Sequence, residues 1–546
     1  MQRTHHLKSA IALVAAALVA VPFSPGPVSA ARGPAHLDQE VIRRLESTPP
    51  SELIPVIVQG GDAARVEARV REGGGKVVGR SDLLGASAAE LTPAQIRSLS
   101  TDPAVQRIDV DADVTATALL ADEAPSTGTP VVFDQTIGAT EVWQAGDTGQ
   151  GVGVAVLDSG IDNQDPAAFG ARVTARVDLV DPAHPAAGDP AGHGTHVAGI
   201  VAANRSFPSP GVAPDASLVS VRVLDEGGHG RVSRVIRGLE WVIAHKNQLG
   251  IRVVVMALGA PAVSSYHEDP LAAAAEMAWR SGLVVVVAAG NDGPTARTIT
   301  TPGFDPLVLT VGAADESGTS ATRDDVIPSW SSEGPTLDGL AKPDVVAPGR
   351  KIVSARVPGS TIDLSMPTHV EGPLTFRLSG TSEATGVAAG AATLLVAQRP
   401  HLSPDEVKAL LTRSASKLQG VSASAQGSGE IDAARAFRTR TPEHAAQSAR
   451  PSDGLLRLLF SLGPTELAEV LQVNGDRVNW DRVNWDRVNW DQVDWDRVNW
   501  DRVNWDRVNW DRVNWDRVNW DQVNSDRVNW DRVNWDRVNW DQAPLD

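Results

Sequence analysis

Four widely separated residues, Asp158, His193, Asn291 and Ser382, carry the chemistry legible in this chain. A serine hydroxyl is a weak nucleophile until a neighbouring base takes its proton. His193 can accept that proton and return it to a leaving amine. Asp158 can fix the imidazole tautomer and stabilise the imidazolium. Asn291 offers an amide NH₂ to the oxyanion of a tetrahedral intermediate, beside the Ser382 backbone N–H. Together these residue types describe acyl transfer at a peptide carbonyl. Taken alone, each has a plainer reading. Ser and Thr are ordinary helix caps. His193 and His196 form an H-x-x-H that invites a metal, although the H-E-x-x-H zinc pattern is absent. His196 also competes with His193 for the role of base.

The elements that must position these residues alternate along the chain. Val152 to Leu157, Ser217 to Leu224, Val253 to Leu258, Leu283 to Ala289 and Leu307 to Val311 are continuous apolar runs, mostly Val-rich. Helical spacing separates several of them, as over Val232 to His245 and Leu271 to Arg280. Buried strands alternating with helices predict a parallel sheet covered on both faces. In such sheets a site forms beyond the carboxyl ends of the strands, where both Asp158 and Asn291 fall. His193 and Ser382 each open a helix, with the apolar run to Leu378 leading into the second. Free N–H groups and a partial positive charge at a helix start suit a developing oxyanion. The chain order Asp, His, Ser differs from the orders of chymotrypsin and the α/β-hydrolases.

Five ordered blocks carry a resemblance. They are Val154 to Ile161 (V-A-V-L-D-S-G-I), Gly192 to Gly199 (G-H-G-T-H-V-A-G), Ala288 to Asn291 (A-A-G-N), Lys342 to Gly349 (K-P-D-V-V-A-P-G) and Ser379 to Ser382 (S-G-T-S). With Gly429 to Ala433 as the usual end, residues 135–437 resemble the catalytic domain of the subtilases, the subtilisin-like serine proteases. The resemblance implies a three-layer α/β/α fold and endopeptidase activity on protein or peptide substrates. It implies that Ala257, Leu258 and Gly259 pair with the substrate backbone, and that Thr300 to Gly303 line the primary specificity pocket. No acidic residue is evident there, so a preference for Arg or Lys is not expected. No cofactor is required for the chemistry. Structural Ca²⁺ is implied by the family alone, since acidic loops such as Asp162 to Asp165 lack a readable ligand spacing.

Two positions depart from the family's G-T-S-M-A-x-P: Glu383 stands for Met and Gly386 for Pro. A carboxylate beside the nucleophile opposes an oxyanion, although a first helical turn favours Glu. The plain expectation is an outward-facing, tolerated Glu383. The alternative is a catalytically disabled fold serving as a binding scaffold. Gly386 lacks proline's preset φ and is expected to loosen the start of the helix.

Around this domain the chain divides further. Arg3 and Lys8, the apolar run Ile11 to Val21, and Val28-Ser29-Ala30 make residues 1–30 a secretory signal pattern. The protein is therefore expected to be secreted, extracellular or associated with the cell surface. Residues 37–115 read as βαββαβ, a ferredoxin-like α+β unit, which the resemblance makes the inhibitory propeptide. Residues 116–134 read as a flexible connector in which processing falls. Residues 438–472 are a polar linker and one amphipathic helix. Over 473–542 the unit Val-Asn-Trp-Asp-Arg repeats with period five and holds most of the 16 tryptophans. That period fits neither a helix nor a strand. Regularly spaced Trp suggests stacking on carbohydrate or cell wall, or self-association. A net charge of −18 argues against a nucleic-acid partner, and no run is long enough for a transmembrane helix. With no cysteine, thiolate and disulfide chemistry are excluded.

Overall fold

A computed structural model describes residues 35–117 and 131–455, apart from positions 165, 187, 443, 444, 446, 448, 450 and 454. The signal pattern, most of the connector and the repeats lie outside the described residues, as does all but the start of the helix expected from Leu455. Among the described residues no helix is long and apolar enough to cross a membrane.

The N-terminal unit is ferredoxin-like with an added edge. It runs β1 (His36–Leu37), α1 (Gln39–Ser47), β2 (Ile54–Gln59), α2 (Ala63–Glu72), β3 (Lys76–Ser81), β4 (Ala86–Leu91), α3 (Pro93–Leu99) and β5 (Arg107–Val110). The strand order is β1-β5-β2-β4-β3. Helix α3 begins as its sequence predicts, with Pro93 inside the cap and a reciprocal Thr92–Gln95 capping box. Val56, Val66, Val70, Leu91, Ile96 and Ile108 close its own core.

The larger unit is a seven-stranded, wholly parallel sheet between two helical layers. Its strands are β7 (Gly153–Asp158), β8 (Val173–Asp178), β9 (Ser217–Arg222), β11 (Ile251–Met256), β13 (Val284–Ala288), β14 (Leu309–Ala314) and β15 (Val345–Pro348). Their order is β15-β14-β13-β11-β7-β9-β8, every pair parallel. The order reverses beside β7, which puts the carboxyl end of β7 at a topological switch point. Helices α6 (His193–Ala202) and α10 (Thr381–Gln398) pack on each other in one layer. Helices α7 (Val232–Leu249) and α8 (Pro270–Arg280) pack on each other in a second, and a short α9 (Thr361–Ser365) precedes α10 in the chain. The Val-rich strands are buried throughout, as continuous apolar runs require when both faces are covered.

The connector does not begin at residue 116. Residues 113–116 form β6 (Asp113–Ala116), and helices α4 (Phe133–Thr136) and α5 (Ala139–Gln144) start directly after the undescribed stretch. Strand β6 is flanked by β10 (His229–Arg231) and β12 (Leu258–Gly259), antiparallel to both. The expectation from sequence ends the propeptide unit at residue 115 with no strand over Asp-Val-Thr-Ala, and the partners supplied by the rest of the chain make that stretch one. The polar linker is likewise docked at its far end. Ser452 is 0% exposed. Its N–H and hydroxyl both donate to Glu276 on α8, at 2.9 and 2.6 Å to Oε2.

Candidate active site

Asp158 ends β7 and His193 starts α6, and the two meet. Asp158 Oδ1 lies 2.8 Å from His193 Nδ1 and also accepts the Ser159 N–H at 2.7 Å. The approach is close enough to require glycine at 194, where a Cβ would fall 2.2 Å from the Gly160 carbonyl oxygen. A residue that sequence reasoning missed holds the start of α6. Asp189 accepts from the N–H groups of Gly192 and Thr195 at 2.9 and 2.7 Å, and from the Thr195 hydroxyl at 2.7 Å. The available signal was an Asp shortly before a helical pattern, which is common to most helices.

Burial works against a charged His193. The charge and hydrogen bond of Asp158 outweigh it, and the imidazole is raised to about 9. Its Nε2 has no hydrogen-bond partner. The expected Ser382–His193 bond is therefore not formed in this state. Ser382 instead donates to the Ala257 carbonyl at 3.0 Å and shares a 2.7 Å bond with the Thr117 hydroxyl. Such bonds are often incomplete outside the reacting complex.

Thr117 explains the displacement, because the chain's own segment fills the cleft. Leu258 pairs with Ala116 and Gly259 with Thr115, and the Thr117 N–H donates to Ala257 O at 3.2 Å. Asn291 donates its Nδ2 to the Thr117 carbonyl. Its Oδ1 is held by Thr381, through the N–H at 3.0 Å and the hydroxyl at 2.9 Å. Thr300, also buried, bonds Ala289 O at 3.3 Å and backs Gly259, where a Cβ would meet its hydroxyl. On the other side of β6, Gly230 pairs with Val114. Sequence reasoning missed Thr381, Thr117 and this second wall at His229–Arg231. The glycines around His229 were its only trace.

The two family departures both face inward. Glu383 is buried at 0% exposure, which overturns the expectation of an outward side chain. Its carboxylate lies 3.5 Å from His196 Nδ1. His196 does not reach Asp158; its Nε2 lies 3.1 Å from the Phe376 carbonyl. At Gly386 a Cβ would stand 3.1 Å from Ile200 of α6, so the absent side chain lets α6 and α10 approach closely. Among the described residues no three His, Asp or Glu side chains converge to hold a metal ion, so the H-x-x-H pair gains no third side-chain ligand there.

A profile of the Subtilase family matches residues 149–429. The serine protease AprX of Bacillus subtilis is 38% identical over 376 residues, 67% of this chain and 82% of that protein. Subtilisin E of the same organism is 34% identical over 359 residues, 65% of this chain and 82% of its own length. Among solved structures, fervidolysin from Fervidobacterium pennivorans, a keratinolytic enzyme related to subtilisin, aligns with a TM-score of 0.59 at 21% identity. That alignment covers 78% of this chain and 65% of fervidolysin, and it speaks for the fold.

Proposed function

The chain belongs to the subtilase family of serine endopeptidases, and from that premise we propose that it is a secreted enzyme made as a self-processing zymogen. Ser382 Oγ attacks the carbonyl carbon of the scissile bond as its proton passes to His193 Nε2. Asp158 holds the imidazolium, and Asn291 Nδ2 with the Ser382 N–H takes the oxyanion. Collapse expels the amine, which leaves with the proton from His193. Water then hydrolyses the acyl-Ser382 ester by the same route. Ala257, Leu258 and Gly259 bind the substrate backbone, with Thr300 behind them. Residues 1–30 direct export.

One observation carries the zymogen reading: β6 lies in the cleft as a substrate would, with the Thr117 carbonyl on Asn291 and its side chain on Ser382. The bond cut in maturation is then Thr117–Ala118. The cleft takes an extended peptide with a small β-branched residue before the bond. Three residues earlier it takes an apolar one, as fully buried Val114 does here. The test is intact mass over time for residues 31–546 beside Ser382→Ala. The wild type should yield a fragment beginning at Ala118 while the variant stays whole. A different new N-terminus would move the bond. Two whole proteins that also fail to react with a serine-directed phosphonate would end the enzyme reading. Equal clipping of both would signal a contaminating protease, and the phosphonate would then decide alone.

A further inference from the structure

Glu383 follows the nucleophile directly, and neither of its carboxyl oxygens has a hydrogen-bond partner. His196 lies three residues beyond His193 on α6, and its Nδ1 has none either. Both side chains are 0% exposed, and these unpartnered atoms face each other at 3.5 Å. The Phe376 carbonyl can only accept, so His196 Nε2 carries a hydrogen. The other ring nitrogen would then be a lone pair facing a carboxylate. Two buried acceptors in that position repel, and each lacks a donor. One proton between them satisfies both.

We infer that Glu383 and His196 share one proton in a buried, electroneutral pair behind Ser382, and that this pair allows a carboxyl group to stand beside the nucleophile without opposing its oxyanion. Glu383 is thus a positioning residue. It links the first turn of α10 to α6, the two helices that present Ser382 and His193. The inference rests on Ser382 acting as the nucleophile.

The surroundings offer Glu383 no better partner. From α6 it meets His196 and the charge of His193, behind which stand Asp158 and Asp189. Strands β13, β14 and β15, packed against α10, contain no charged residue. Arg252 of β11 is spent on the carbonyls of Pro400 and Leu402. On the strand Thr375–Leu378, Arg377 turns to Glu371 at 2.6 Å. Lys408 of the helix Pro404–Ser414, which also packs on α10, binds Asp344 at 2.9 Å. Arg435 of the helix Ala433–Arg438 pairs with Asp432 at 2.8 Å.

The test is kcat and KM, across a pH series, for a peptide substrate in the matured enzyme, with His196→Leu, Glu383→Met and the double variant. His196→Leu strands the carboxyl beside the developing oxyanion, so kcat should fall, with KM little changed. Adding Glu383→Met should recover about tenfold of the loss, a coupling within the range for contacting residues. Losses that simply multiply would overturn the pair. Should His196→Leu not fold, imidazole ¹⁵N resonances in the Ser382→Ala chain decide. The His196 Nδ1 signal should be that of a protonated or strongly hydrogen-bonded nitrogen, and should become a free lone pair in Ser382→Ala/Glu383→Met. An unchanged Nδ1 signal would refute the pair. This readout needs no activity, so it stands even if the wild type cleaves nothing, an outcome that would instead sink the enzyme reading.

Discussion

If the chain is the zymogen proposed above, His193 sets the pH at which it converts. Raised to about 9 with the cleft filled, it is protonated through neutral pH and cannot act as a base there. Self-cleavage should therefore accelerate as pH rises through about 9, measured as single-turnover conversion across a pH series; a flat or acidic optimum would contradict this. The same shift gives a stability term of opposite sense. The folded pKa lies above the usual 6.5. The Asp158–His193 pair is thus fully stabilising below about 6.5, and its contribution is lost as pH rises through about 9. Replacing Asn291 by Ala should lower kcat by roughly 10²–10³, the magnitude for a single oxyanion donor in subtilisin itself, with the fold intact by circular dichroism. As candidates, Asp158, His193, Asn291 and Ser382 stood out because each sits in a glycine-containing block at one end of a predicted element. Asp189 and Thr381 were not. They act by capping a helix and steering an amide, roles that any Asp or Thr fills.

At the scale of elements, the meeting of α6 and α10 is a close-packed contact. Gly386 leaves no room above Ile200, so Gly386→Leu should cost about 1–3 kcal/mol by overpacking. The loss would appear as a lower midpoint in urea, and an unchanged midpoint would show that the helices can part without cost. The parallel sheet and its order of helices could be read from periodicity, since buried Val-rich strands leave a strong signal. Strand β6 could not. Its four residues are short and half polar, and its pairing comes wholly from His229–Arg231 and Leu258–Gly259, more than a hundred residues away.

For the molecule as a whole, the C-terminal segment is tied to the catalytic unit before the repeats begin. Ser452 satisfies Glu276, whose carboxyl burial and the neighbouring Asp305 raise to about 9. Ser452→Ala should cost about 1–3 kcal/mol by stripping a donor from a buried group, read as a lower melting temperature. No loss would mean that the segment merely rests on the surface. Nothing in the linker's composition announced this contact, because a single serine carries it. The seating of β6 has a consequence for diet. A strand that must be gripped along both edges, by β10 and β12, has to arrive with both edges bare. A residue inside a folded sheet or helix has already committed those groups to its neighbours. The mature cleft would therefore discriminate by conformational state before it discriminates by side chain, digesting denatured or frayed protein and sparing what is well folded, the enzyme's own body included.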